Sequence, residues 1–209
     1  MMDVADVRLV VGDISHEFEW RVREAGAVAW DIETSGLDWR LDRIATCQLH
    51  VPGVGTEIIQ VHGQMPERLR DLLGTERVVK VFHHAAFDLR FMRYHWKVAP
   101  RHVACTKVLS KIVRPEVEPE EHSLKAAVRH YLGVELDKSE RASDWLAEEL
   151  TPEQLRYAAR DVEYLWPLFD RLMHEARGSG VADLAETSFA YLPTRVETDL
   201  RGCGDVFSY

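Results

Sequence analysis

Apolar and polar positions along this chain alternate with two different periods, and the changes from one to the other mark out its elements. Short runs rich in Val, Ile and Leu at residues 7–11, 27–33, 43–51, 56–61 and 78–82 predict strands. A further strand is expected around 102–105. Pro52-Gly53-Val54-Gly55 separates two of these runs as a hairpin turn, so the sheet should open antiparallel. The run 78–82 is nearly all apolar, the mark of a central strand. Helical spacing predicts a helix over 13–25, capped by Asp13 and ended by Gly26, and others over 66–73, 85–92 and 106–113. Residues 115–121 are polar and read as a loop. Ser123 opens a helix with Leu124, Val128, Tyr131 and Leu132 on one face, closed by Gly133. Thr151-Pro152-Glu153-Gln154 is a capping box with Pro at the first helical position, and starts a long helix running to about residue 176. Gly178-Ser179-Gly180 breaks it, a last helix covers 181–191, and Pro193 opens an irregular tail. The pattern predicts an α/β fold with a mixed five-stranded sheet flanked by helices.

Composition narrows the class. A chain of 209 residues with 46% hydrophobic and 29% charged residues fits one domain, 1–209, with a real core. No apolar run is long enough to cross a bilayer, and Met1 to Asp6 lack the basic region and apolar core of a signal peptide. Cys47, Cys105 and Cys203 are odd in number and form no CxxC, which argues against a disulfide framework and a structural zinc site. These features point to a cytoplasmic protein. The net charge of −9 argues against a grip on a long duplex through many phosphates. It leaves room for a short ligand held by metals and a few local cations.

The candidate chemistry centres on Trp30-Asp31-Ile32-Glu33-Thr34. Side chains two apart on a strand share a face, so Asp31 and Glu33 stand together at the end of a buried strand. Paired carboxylates there repel and are costly to desolvate, and a divalent cation with hard oxygen ligands would relieve both. The same pair also describes a solvated strand end. Asp88 follows the run 78–82 in the first turns of a helix, where it either faces a strand end or complements the helix dipole. Tyr157 and Asp161 lie one helical turn apart, beside Ala158 and Ala159, which are small enough to let that helix approach the sheet.

In this order the three motifs resemble those of the DEDD superfamily of 3′→5′ exonucleases, in the subgroup with Tyr in its last motif. The second is His84-Ala85-Ala86-Phe87-Asp88 and the third Tyr157-Ala158-Ala159-Arg160-Asp161. Leu132 to Lys138, with Ser143-Asp144-Trp145, resembles the RNase D branch. Cys105-Thr106 and the tail from Phe189 to Phe207 look like the nanoRNase C group of short RNase D-like enzymes, although Cys203 stands where that group tends to have Trp.

The resemblance implies an RNase H-like exonuclease fold with no HRDC or other accessory domain. It implies two divalent ions, Mg²⁺ or Mn²⁺, held by Asp31, Glu33, Asp88 and Asp161, with Asp31 bridging them. Two ions about 3.5–4 Å apart can clamp one phosphodiester. Tyr157 would orient the attacking water, since an ordinary Tyr pKa near ~10 makes it a poor base. The implied activity is hydrolysis of very short single-stranded RNAs, especially dinucleotides, to nucleoside 5′-monophosphates. The implied assembly is a ring-shaped homo-oligomer, an octamer built from dimers, away from any membrane. Leu37, beyond the turn at Gly36, would wedge between bases or else pack under the turn. Thr34, three residues before it, is a further candidate to bind the substrate. His83, His84, Lys107, Lys111 and Arg141 are candidates to cap a 5′ phosphate, and Trp39 and Phe87 to stack on bases. The competing readings are RNase D-like trimming of longer or structured RNA 3′ ends, a DNA exonuclease, and a non-catalytic binding module on the same fold.

Overall fold

Val28, Trp30 and Ile32 alternate onto one face of strand β2 (Ala27–Thr34) and are almost wholly buried there. The Trp30 ring stacks on Phe82 with 6.0 Å between centroids and lies 6.3 Å from Trp96. The other face of β2 carries Ala29, Asp31 and Glu33. β2 is paired along both edges and so lies in the middle of the sheet. The computed structural model describes residues 7–61, 63–136 and 143–208.

On one side of β2, β3 (Ile44–Val51) and β4 (Gly55–Gln60) continue antiparallel through the tight turn at residues 52–54. On the other side, β5 (Val79–Phe82) and β6 (Val103–Cys105) run parallel to it. Among the described residues the sheet has six strands rather than the expected five, because the run 7–11 joins it. β1 (Val7–Val11) pairs parallel with β4 at the edge, giving the order β1-β4-β3-β2-β5-β6. That pairing joins segments more than forty residues apart and leaves Leu9 and Val11 exposed, so local alternation carries no sign of it.

The helices depart from the sequence reading in three places. α1 (His16–Ala25) is capped by Ser15, whose hydroxyl accepts from the Phe18 N–H, and not by Asp13. The Asp13 carboxylate instead accepts from the N–H groups of Arg68 and Leu69, at 2.8 and 3.1 Å. It thereby caps α2 (Glu67–Gly74), whose own N-cap, Pro66, has no side-chain acceptor. The long C-terminal helix is two, α6 (Pro152–Glu163) and α7 (Leu165–Gly178). Pro167 has no N–H for the Glu163 carbonyl and its ring would clash with it, so the helix breaks at Tyr164. Conversely, α8 (Ala182–Leu200) runs straight through Pro193, where an irregular tail was expected. Tertiary packing outweighs the lost bond. Phe189, Leu192 and Val196 are buried, and Asp199 and Glu197 pair with Arg90 and Arg93 of α3 (Ala86–Trp96) at 3.7 and 3.3 Å. α4 (Thr106–Val113) and α5 (Leu124–Leu132) complete the layers. Among the described residues no helix is long and apolar enough to cross a membrane.

One core position is costly. Lys80 of β5 is fully buried, and its ammonium donates to the Thr75 carbonyl. Burial, with a smaller push from Arg23, lowers its pKa to about 7. The folded value lies below the unfolded one, so the penalty is complete below about pH 7 and shrinks as pH rises toward 10.5. Lys80→Met should therefore raise stability at pH 6 by about 1–3 kcal/mol, as apolar replacements of buried charges often do. The gain should be smaller at pH 9, and melting curves at the two pH values check it.

Candidate active site

β2 ends in a bulge between Glu33 and Thr34, which turns the chain out of the sheet. Thr34 Oγ1 donates to the Gly36 carbonyl at 2.6 Å. The Asp42 carboxylate ties the loop together, accepting from Ser35 Oγ at 3.1 Å and from the Asp38 N–H at 2.9 Å. It lies across Gly36 so closely that a Cβ there would sit 2.5 Å from it. Leu37, 81% exposed, is held outward on this fixed turn. Gly36→Ala must displace Asp42 and lose its two hydrogen bonds. We expect a loss of about 1–3 kcal/mol, measurable by denaturant unfolding.

Asp88 reaches the same place from α3. Between β5 and α3, His84 takes the left-handed φ of 66°, which makes the sharp corner that starts the helix. Asp88 is 2% exposed and accepts from the Ile32 N–H at 3.3 Å, between Asp31 and Glu33. Burial raises its pKa well above the usual carboxylate range, and the Asp31 carboxylate adds to the effect.

The third motif arrives on α6. The capping box at Thr151 and Gln154 forms as expected, and Ala158 and Ala159 are buried against Ala45 and Ile58 of the sheet. This close approach brings Asp161 to β2. Asp31, Glu33 and Asp161 each present an oxygen, and these oxygens lie within 4.8 Å of one another. Burial pushes the Asp31 carboxyl up to about 6, against the Gln48 amide and the Ile32 N–H, which favour the charged form. Tyr157 is driven above its ordinary value, first by burial and then by the charges of Asp161, Glu33 and Asp31. Its hydroxyl therefore stays protonated and can donate a hydrogen bond, but not act as a base at neutral pH.

These groups open into a cavity of about 270 Å³, lined by Asp31, Glu33, Asp88, Tyr157 and Asp161. His83, His84, Phe87 and Lys107 also line it. Burial lowers the His83 pKa to about 3 and that of His84 by less, with Lys107 opposing the charged form of both. At neutral pH both rings are uncharged and offer hydrogen bonds rather than charge. Thr34, Leu37 and Lys111 are not among the lining residues; Lys111 is exposed one turn along α4 from Lys107. Trp39 lies outside the cavity too, with the guanidinium groups of Arg40 and Arg90 5.0 and 4.9 Å from its ring. Arg141 lies outside the described residues, as do Asp137 and Lys138.

Sequence reasoning missed Ser123, Lys125 and Leu136 in the lining, and Gln48 behind Asp31. For Gln48 a signal existed. Thr46, Gln48 and His50 place a polar residue at every second position of an otherwise apolar strand. Lys125 gave none, since a lysine early in a helix is ordinary.

The donor set fits a divalent cation. Three hard carboxylate oxygens converge, partly out of water, and the cost of burial shows in the raised Asp31 and Asp88, to which the Asp31 charge adds at Asp88. Comparison with known proteins agrees. A family model described as 3′-5′ exonuclease matches residues 13–177. The chain belongs to this 3′-5′ exonuclease family. Brucella melitensis NrnC superposes with a TM-score of 0.90 at 33% identity, covering 98% of this chain and 99% of that one. It is also known bound to pGG and with bound Mg²⁺. This whole-length match supports the nanoRNase C grouping. Escherichia coli RNase D superposes at 0.81 with 27% identity, over 93% of this chain and 51% of its own. Ribonuclease D of Serratia proteamaculans is 37% identical over 110 residues, 53% of this chain. The matched stretch is only 29% of that relative's length.

Proposed function

We propose that this 3′-5′ exonuclease domain is a metal-dependent exoribonuclease that hydrolyses very short RNAs, dinucleotides above all, to nucleoside 5′-monophosphates. The observation that carries the reading is the convergence of Asp31, Glu33 and Asp161 within 4.8 Å, with Tyr157 one helical turn from Asp161. Asp31, Glu33 and Asp161 would hold the inner cation, and Asp88 a second one. Divalent cations there would supply Lewis-acid activation of the phosphodiester and of water. The protein's own part is positioning. Tyr157, kept protonated by burial and then by its acidic neighbours, donates a hydrogen bond that orients the attacking water. Lys107 brings positive charge to the cavity wall, while His83 and His84 contribute neutral hydrogen-bonding groups. Leu37 stands fully displayed on the Asp42-braced turn, where it can meet a base.

A small cavity and a net charge of −9 suit a short ligand better than a long one. The solved relative bound to pGG supports the same choice. The similarity to ribonuclease D favours a second reading, trimming of longer RNA 3′ ends. A time course with Mn²⁺ or Mg²⁺ on 5′-labelled RNAs of different lengths, from a dinucleotide to a long strand, separates them. Rapid loss of the dinucleotide with much slower loss of longer strands is expected. Equal rates at every length would favour trimming. The resemblance noted above extends the proposal to a ring-shaped homo-oligomer, which light scattering in solution checks.

A further inference from the structure

Directly opposite Asp31 in the β2–β3 register stands Gln48, fully buried in the middle of the sheet. A buried primary amide is costly unless both of its ends are bonded. Here both are. Gln48 Nε2 donates to Asp31 Oδ2 at 2.7 Å. Two residues back on the same face, Thr46 is equally buried, and its Oγ1 donates to Gln48 Oε1 at 3.1 Å. The Asp31 carboxylate, an acceptor when ionised, fixes which way the amide points, and the Thr46 hydroxyl holds the Oε1 end in that orientation. The flipped amide would set two acceptors, Oε1 and the carboxylate, against each other.

We infer that Gln48, locked by Thr46, is a positioning residue that sets the rotamer of Asp31 for cation binding. The inference uses the metal site proposed above but does not depend on which substrate is cleaved there. The amide engages Oδ2 and so holds the carboxylate beside Glu33 and Asp161, whose oxygens come within 4.8 Å of one of its own. Without it, Asp31 is free to rotate away from the position the cation requires. Partners of metal-ligating groups carry about 10–100-fold in affinity when removed.

The test is Mn²⁺ binding to the substrate-free protein by titration calorimetry, for wild type, Gln48→Leu, Thr46→Val and Thr46→Ser. Gln48→Leu should bind Mn²⁺ about 10–100-fold more weakly. Its steady-state activity should show a raised Mn²⁺ activation constant, with kcat recovering toward wild type at saturating metal. Thr46→Val keeps the shape and removes only the locking hydroxyl, so it should bind several-fold more weakly, while Thr46→Ser restores affinity. A merely space-filling Gln48 would change melting temperature and leave Mn²⁺ affinity within twofold of wild type, and that result overturns the inference. Should Gln48→Leu fail to fold, the Thr46 pair decides, and equal affinities for Val and Ser overturn it. Wild type that binds Mn²⁺ but cleaves no RNA overturns the exoribonuclease reading and leaves this one standing. Wild type that takes up no Mn²⁺ overturns both.

Discussion

Asp31→Asn should leave a folded protein whose hydrolysis of short RNA is slower by on the order of a thousand-fold or more, about 4 kcal/mol of lost transition-state stabilisation. The substitution keeps the shape of the side chain and removes one of the three charges that converge between β2 and α6. An amide is a poor ligand for Mg²⁺ or Mn²⁺ beside two remaining carboxylates. Stability should move the other way. In the metal-free protein the Asp31 carboxyl titrates at about 6, above its unfolded value of 3.8. Its contribution is therefore fully present below about pH 3.8 and lost as pH rises through 6. Above pH 6 the wild type carries a partly buried charge that the variant lacks. In EDTA at pH 7.5, Asp31→Asn should melt at or above the wild-type temperature while being inactive with Mn²⁺. Retention of more than a tenth of the activity would remove Asp31 from the site.

The largest stability effect should come from the neighbouring residue. Trp30 is fully buried between Phe82 and Trp96 and points away from Asp31 on the same strand. Trp30→Ala leaves a cavity that rigid strands on either side cannot fill, and should cost about 3–5 kcal/mol. For a chain of this size, that lowers the melting temperature by roughly 6–20 °C. Trp30→Phe, which keeps a ring in the stack, should lose much less. A thermal melt of both variants decides it. A loss under about 1 kcal/mol for Trp30→Ala would mean that the core packs differently around β2.

The contrast between these two residues shows what the sequence made legible. Trp30 and Asp31 alternate across one strand, and period-two alternation announces both the core face and the acidic face. The Tyr157–Asp161 spacing and the small Ala158 and Ala159 likewise announced a helix that could lie on the sheet, because they depend only on local geometry. What stayed hidden depends on partners distant in sequence. Asp13 looked like the cap of the helix that follows it and caps another more than fifty residues away. Pro167 broke a helix that hydrophobic spacing carried through, whereas Pro193 failed to break one held by Arg90 and Arg93. His83 and His84 were read as cations, but burial, a tertiary property, leaves them neutral. Gln48 was visible as a polar residue in an apolar strand, yet only the β2–β3 register shows that it faces Asp31.

The most direct measurement is a single-turnover time course on a 5′-labelled RNA of five nucleotides with Mn²⁺, run beside the same reaction in EDTA and with Asp161→Asn. A metal-dependent 3′-5′ exoribonuclease built on these carboxylates shortens the labelled strand one nucleotide at a time from its 3′ end. EDTA and the substitution should each stop it. Internal cleavage, undiminished hydrolysis in EDTA, or a fully active Asp161→Asn protein would contradict the assignment of chemistry to Asp31, Glu33 and Asp161.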